Sequence, residues 1–559
     1  MNRKSLKLTE LLIPFSIFLA LYSLTLCGVS TVAHDSIYYL NQIDSKSYFH
    51  FPYHPLFHSH HLLYNLSARL WLLFCRGVNI NFAADLIIAW FNAIWGALAL
   101  SVFYLILRTR LQAKPLAALL GTACCAFSFA FWFYSVSVEV YAPPLFWSLL
   151  LLYVLSADRF RSKDYYLIGL LHGLSIVYHQ VNVLFGLVII SALLLDSRPL
   201  NLRSLLKYFA CLIPTVAIPY LLVIFKMNQF AAWEDAWYWL TRFSHYPGFW
   251  QPLAFSTLLK AQTGFGRALI EGYFILGVPY LKTLMNKKYI DGFLWDEAFL
   301  VRNLSPATAW TLLLLALIFF LTLFIGIRYY SGNLRKVKEN HSRLAVLTGV
   351  WLAVYSLFFF FWVPNNIEFW ISQSVCCWLL FLILIFSGER GKTPPILFIL
   401  PLLLLVINYG GNIRFIQNDN NDLYYSKISA LSKELQTGDL VVVGPKLTAI
   451  PEQSWTSEAL KAYLFRYTQA DAIDLVELFR AAQPEHHKHN FSHLIKSIDN
   501  ALKNGRRVFI YAEVMTTDRR TASYLTVHPF LLQQLRQIYQ DRARKIDVGG
   551  ETLYLLEPV

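Results

Sequence analysis

Residues 131–155 read FWFYSVSVEVYAPPLFWSLLLLYVL: two apolar runs meet at a corner that holds a single charge, the carboxylate of Glu139, and a double proline. So low a charge density suits hydrocarbon, where a spanning helix takes about 20 apolar residues to cross about 30 Å. Similar runs recur from Leu11 to about Tyr409, and the 559-residue chain is 56% apolar, 16% aromatic and only 15% charged. Soluble domains carry about 25% charged residues. The chain therefore reads as a polytopic membrane protein.

A formal charge of +14 could point to nucleic acid, but the basic residues sit in short loops between apolar runs, where they set orientation. The clusters are Arg3/Lys4/Lys7, Arg108/Arg110/Lys114, Arg159/Arg161/Lys163, Arg198/Arg203/Lys207, Arg328/Arg335/Lys336/Lys338/Arg343 and Arg390/Lys392. Every second loop is basic. Placing these loops in the cytoplasm gives spans near 10–30, 82–107, 115–135, 142–156, 165–179, 181–196, 208–226, 304–327, 344–363, 370–387 and 395–410. About 11 spans put the C-terminus outside. Spans 142–156 and 181–196 are short and need flanking aromatic residues or bilayer thinning. In 267–285, Arg267 and Glu271 favour an interfacial or re-entrant segment as much as a span.

The expected fold is mainly α: a polytopic transmembrane helical bundle over residues 1–411, followed by an extracytoplasmic α/β domain over 412–559. After Tyr409 the composition turns polar, with strands expected at 439–445, 506–514 and 552–558 and helices at about 422–435, 457–480, 491–504 and 529–541. Glycine at the end of DLVVVGP could meet a ligand at a strand's carboxyl end. All seven cysteines lie in or beside apolar runs, which gives no disulfide framework. Thr31-Val32-Ala33 could pass as a signal-peptidase site. The apolar run before it is longer than a usual signal core, and cleavage would leave Asp35 almost at a free end.

With this orientation four unusual segments face one compartment: 31–81, 134–144, 227–303 and 361–370. Ionisable groups at a membrane edge are expensive, so each carboxylate there is a functional candidate. Asp35 follows the first apolar run and precedes an interfacial segment from about His61 to Phe74. A carboxylate so placed can reach a lipid-linked substrate and an aqueous acceptor together, or can simply end a helix in water. Glu139, with Tyr141 two residues on, could hydrogen-bond a sugar, hold the Asp35 loop, or be a solvated turn residue. In FWVPNNIEFW, Asn366 and Glu368 could offer an amide and a carboxylate to a saccharide or phosphate, with aromatic faces beside them. Histidines at 50, 54, 58, 60 and 61 invite a metal, yet Pro55 breaks the His54/His58 pair and no helical ligand spacing remains. They read as structural or hydrogen-bonding groups, with His54, His58 and His61 as possible substrate contacts. His179, at the outer end of its span, is better placed to touch a ligand. No metal set is assigned, and metal dependence stays open.

Four stretches, AHDSIYY (33–39), FPYHPLFHSHHLLY (51–64), residues 131–155 and LIGLLHGLSIVYHQVNVL (167–184), resemble the GT-C superfamily of polytopic glycosyltransferases, especially its protein O-mannosyltransferase-like branch. They match in order an acidic first-loop motif, a His-Pro-rich segment ending in Leu-Tyr, an aromatic run closing in Glu-Val-Tyr-Ala, and a glycine-spaced helix ending near a histidine. Only Asp35 and Ser36 carry over from the family's Gly-Asp-Ser-Gly-Glu, and a second acid is absent. The resemblance implies transfer of a sugar from a polyprenyl-phosphate-linked donor to a hydroxyl of a protein, lipid or glycan acceptor, with Asp35 as general base and no nucleotide loop. The departing phosphate needs cations, for which Arg242, Lys260, Arg267 and Arg302 are candidates. The expected setting is a bacterial inner membrane with a periplasmic active face, the endoplasmic reticulum lumen being the alternative. A transporter or flippase of lipid-linked glycans is the runner-up, and a noncatalytic envelope scaffold a third reading. The span pattern shows no internal repeat, and the acids gather on one face, which disfavours transport.

Overall fold

The computed structural model describes residues 8–33, 35–44, 54–157, 159–196, 202–245, 248–288, 295–388, 393–446, 454–480, 486–515, 523, 525, 527 and 529–558. Arg3, Lys4, Lys7, Arg198, Arg390, Lys392, His34 and His50 lie outside them. Two compact units are formed. One comprises Met1–Val29, Gln42–Gly272 and Trp310–Gln417; the other comprises Ser30–Asn41, Tyr273–Ala309 and Asn418–Val559.

The first unit is helical and makes the chain an integral membrane protein. Among the described residues six helices are long and apolar enough to cross a bilayer: Ala84–Thr109, Leu202–Met227, Pro306–Asn340, Ser342–Phe361, Ile367–Gly388 and Ile396–Ile416. The pair Pro115–Ala126 and Phe129–Val136, bent by 76°, would make a seventh. This corrects the expected 11. Every apolar run does hold a helix, but Glu10–Leu24, Ala142–Leu155 and Gln180–Leu194 are short; at 1.5 Å per residue a 14-residue helix reaches only about 21 Å. Apolarity alone did not distinguish a span from a buried helix. Ala84–Thr109 illustrates burial: Ala93, Gly96, Ala97 and Ser101 are buried on it, and small side chains let helices approach closely. Leu202–Leu222 does the opposite, exposing Leu202, Leu206, Phe209 and Ile213 at helical spacing. That stripe suits lipid. The 267–285 segment breaks into the end of helix Phe255–Leu269, a 3₁₀ turn Tyr273–Gly277 and part of Pro279–Lys288, so it is no continuous span.

The second unit holds a five-stranded sheet of order β2-β1-β3-β5-β4. β1 (Leu440–Val443) runs parallel to β2 (Asp471–Asp474) and β3 (Val508–Tyr511), and antiparallel pairing adds β5 (Glu551–Leu556) to β3 and β4 (Arg544–Val548) to β5. β1 is LVVV and fully buried, as a central parallel strand requires. Gly549 and Gly550, both at positive φ, make the two-residue turn of the β4–β5 hairpin. The expected helix over 457–480 stops at Tyr467, and β2 follows it. β2 is only four residues long, with an exposed and half-buried pattern, so its sequence lacks the apolar run that marks β1. β4 escaped the sequence reading for the same reason.

At the carboxyl ends of β1 and β3, Lys446 pairs with Glu551 (2.8 Å) and Glu513 (3.3 Å), and Lys427 pairs with Glu551. Both ammonium groups lie over the buried Trp455 ring, at 4.1 and 4.5 Å from its centroid. The glycine-ended strand thus meets an internally neutralised cluster.

Asp422 and Asp474 are buried in this unit, and burial pushes each carboxyl up to about 6. A carboxyl raised on folding favours the protonated state, so its contribution is complete below about pH 4 and is lost as pH rises to about 6. Each group can cost up to about 3 kcal/mol above that window. The thermal midpoint of this unit should therefore fall between pH 4 and 6, and Asp474→Asn should flatten part of that slope. A slope identical in the variant would rule Asp474 out as a contributor.

Candidate active site

Asp35 belongs to the second unit. It precedes the helix Ser36–Ile43, its carbonyl accepts the Tyr39 N–H at 2.9 Å, and the residue is exposed. Ser36 beneath it is fully buried.

In the first unit, the corner at Glu139 is strapped to the end of the first helix. Cys27 N–H donates to Val136 at 2.8 Å and Val138 N–H to Gly28 at 3.1 Å. Gly28 has φ +60°, and a Cβ there would lie 2.6 Å from the Asp85 carboxylate, so glycine is required. Asn92 Nδ2 holds the corner from below, reaching the Glu139 carbonyl at 2.6 Å, the Ser137 carbonyl at 2.7 Å and Tyr64 Oη at 2.9 Å. Glu139 is 1% exposed. This excludes a solvated turn residue; desolvation keeps the carboxylate where polar partners are needed.

Tyr141, His179 and Glu368 come together in a cleft of the first unit, with about 400 Å³ unfilled by atoms, its open mouth included. Ser148, Asn182 and Tyr355 also line it. The Tyr141 and His179 rings lie 5.6 Å apart. Asn366 Nδ2 donates to Glu368 Oε1 at 2.8 Å and orients that carboxylate. Tyr355 Oη donates to Asn182 Oδ1 at 2.6 Å, and Asn182 Nδ2 to the Ser175 carbonyl at 3.0 Å. Aromatic walls with a few fixed polar groups are the make-up of small-molecule sites.

The wall bearing Glu368 is itself braced. Gln251 N–H donates to Phe361 at 2.8 Å and Val363 N–H to Phe249 at 3.0 Å, while Trp370 Nε1 donates to the Pro364 carbonyl at 2.8 Å. Val363 has φ +42°, a conformation that a β-branched residue rarely adopts. Gly264 packs beneath: a Cβ would fall 2.6 Å from Trp370 Nε1 and nearer still to the Pro364 oxygen. Gly264→Val should therefore displace the 364–370 wall and reduce ligand binding in the cleft; binding at unmodified affinity would show that the wall is not needed.

The histidines continue from the cleft. His61 lies 6.5 Å from His179 and stacks on His58 at 4.2 Å and 5°. Burial first, and neighbouring imidazoles and Arg242 second, hold His58 well below its usual range; burial holds His60 near 4. These imidazoles are neutral at pH 7, able to hydrogen-bond but not to supply positive charge. His54 stands apart, accepting Leu56 N–H on Nδ1 at 3.3 Å and facing Phe57. No group of three or more His, Cys, Asp or Glu side chains among the described residues could hold a metal ion.

The cations differ in their commitments. Arg302, in the second unit, donates to the Phe299 and Asn420 carbonyls at 2.7 and 2.8 Å and lies over the Phe299 ring. Arg267 pairs with the buried Glu271 at 2.8 Å, and Lys260 donates to Gln251 at 2.8 Å. Arg242 acts electrostatically on His58. Sequence reasoning missed Asn92, Ser148, Asn182 and Tyr355. Each is a polar residue within an apolar stretch, but what sets it apart is the side chain or carbonyl it meets far along the sequence.

Residues 50–201 match the family model of the N-terminal domain of TMEM260, a protein O-mannosyl-transferase. The GT-C resemblance therefore holds. The match carries Glu139, Tyr141 and His179, while Asp35 and Glu368 lie outside it. Among solved structures, the GT-C-like chain is similar to the S. cerevisiae protein O-mannosyltransferase Pmt1-Pmt2 complex bound to the sugar donor (19% identity, 40% of this chain and 33% of that one, TM-score 0.30). It thus spans about a third of that yeast chain. It is also similar to ArnT from Cupriavidus metallidurans bound to undecaprenyl phosphate (10% identity, 98% of each chain, TM-score 0.49). The Archaeoglobus fulgidus oligosaccharyltransferase tethered to an acceptor peptide is another (12% identity, 95% of this chain and 72% of that one, TM-score 0.45). No curated protein sequence matches the chain.

Proposed function

We propose that this GT-C-type membrane protein is a glycosyltransferase that moves a sugar from a polyprenyl-phosphate-linked donor to an acceptor hydroxyl on the extracytoplasmic face. The observation that carries the reading is the cleft of Tyr141, His179 and Glu368, two of whose residues lie in the O-mannosyltransferase-like segment. Aromatic faces can cover the apolar side of a sugar ring, while Glu368 accepts hydrogen bonds from its hydroxyls. In this reaction the Asp35 carboxylate takes the proton of the acceptor hydroxyl as its oxygen attacks the anomeric carbon. The bond from that carbon to the phosphate oxygen breaks, and polyprenyl phosphate leaves as the anion. Arg242, whose charge reaches the His58 ring, is the cation assigned to it.

The test is to incubate purified full-length protein with a panel of polyprenyl-phosphate sugars and crude envelope acceptors, following free polyprenyl phosphate and transferred sugar. Donor-dependent transfer is expected. Folded protein that turns over no donor would overturn the proposal. A charge-assisted hydrogen bond contributes about 1.5–3 kcal/mol, so Glu368→Ala should lower kcat/KM by roughly 10- to 100-fold. Unchanged steady-state constants would remove Glu368 from the sugar site.

A further inference from the structure

Asp35 is exposed, yet the loop that carries it is fixed. Ser36 Oγ donates to the Ser30 carbonyl at 3.0 Å and accepts the Ser30 N–H at 3.2 Å, closing residues 30–36 on themselves. Ser36 N–H also reaches the Ala33 carbonyl at 2.9 Å. Within this closed loop, Thr31 N–H donates at 2.9 Å to Oδ2 of Asp422, which is 391 residues away in the chain. The same oxygen accepts the Tyr463 hydroxyl at 2.8 Å. The other oxygen, Oδ1, caps the helix Leu423–Leu431 by accepting Tyr424 and Tyr425 N–H at 2.9 and 2.8 Å. Farther along, Asn41 Nδ2 donates to the Ala462 carbonyl at 3.3 Å.

We propose that Asp422 is a positioning residue for Asp35: its Oδ2 anchors the 30–36 loop to the C-terminal segment and so fixes the direction in which the exposed carboxylate is presented. Capping alone does not account for the residue. A serine, threonine or asparagine caps a helix with one oxygen, whereas Asp422 buries a full carboxylate and uses its second oxygen on the loop and on Tyr463. Burying that charge is costly, and burial pushes the carboxyl up to about 6 against the pull of its four donors. The second oxygen is what the loop requires.

The inference rests on reading Asp35 as the general base. Asp422→Asn tests it, because asparagine keeps one oxygen for the cap and turns an amide NH₂ towards two donors. Amide exchange over residues 30–36 should quicken by about tenfold. Misplaced reacting groups lower kcat, here by about 10- to 100-fold, while KM for the polyprenyl-phosphate sugar should stay within about twofold. Wild-type protein that transfers no sugar would sink the base reading and this inference with it. Wild-type transfer combined with an unchanged kcat in the variant, or with unchanged exchange in the loop, overturns the positioning role alone. Should Asp422→Asn fail to fold, Tyr463→Phe leaves the cap intact and carries the same test, with the same signs and smaller changes.

Discussion

Asp35→Asn should lower sugar transfer by roughly 10²- to 10⁴-fold, the usual share of a positioned general base, while the protein keeps its thermal midpoint. The substitution preserves shape and removes only the ability to accept a proton at neutral pH. Asp35 is exposed, and the bonds by which Ser36 and Asp422 hold the loop do not use its carboxylate. The loss should fall on kcat, with donor KM little changed, as expected of a base that acts on the acceptor hydroxyl in the transition state. Asp35→Glu should retain partial activity because a base remains, displaced by one methylene. Transfer by Asp35→Asn at the wild-type rate would remove Asp35 from the reaction and send the search for a base back to Glu139 and Glu368.

The largest structural effect is expected at Asn92. Its amide serves three oxygens within 2.9 Å, two of them the main-chain carbonyls that flank Val138. Asn92→Ala takes the amide donor away from both carbonyls in a fully buried place and leaves the Ser137 carbonyl only the Glu139 N–H. An unsatisfied buried polar group costs roughly 1–3 kcal/mol, which exceeds the effect of a typical surface change. Asn92→Asp should be no better despite its near-identical shape, because a carboxylate presents oxygens to carbonyl oxygens. Both variants should unfold at lower temperature in detergent, and both should lose transfer, since the corner they undermine carries Glu139 and leads directly to Tyr141. A midpoint unchanged in Asn92→Asp would mean that the amide's donation is not what holds the corner.

The two variants mark how far the sequence was readable. Asp35, Glu139, Tyr141, His179 and Glu368 could be singled out because each departs locally from its surroundings: a carboxylate at the end of an apolar run, an aromatic beside a double proline, a polar insert between tryptophans. Tyr141, His179 and Glu368 do line one cleft. Asn92, Asn182 and Tyr355 were not singled out, because what distinguishes them is a partner 45 to 173 residues away. The span number failed for a related reason: an apolar helix can be covered by lipid or by protein, and composition is the same in both cases. β1 and β3 announced themselves as continuous apolar runs, whereas β2, with its DAID sequence, becomes a strand only by pairing with β1.

One arrangement also bears on how the protein is made. The unit containing Asp35 draws its three segments from residues 30–41, 273–309 and 418–559, so the ribosome delivers its parts near the beginning, the middle and the end of translation. Thr31 emerges hundreds of residues before its acceptor, Asp422, exists, and such distant contacts are slow to close. A nascent chain or one terminated before Asp422 therefore lacks the anchor for the Asp35 loop. Synthesis past Asp422 and Tyr463 is then the step that makes the anchor available to the loop carrying Asp35.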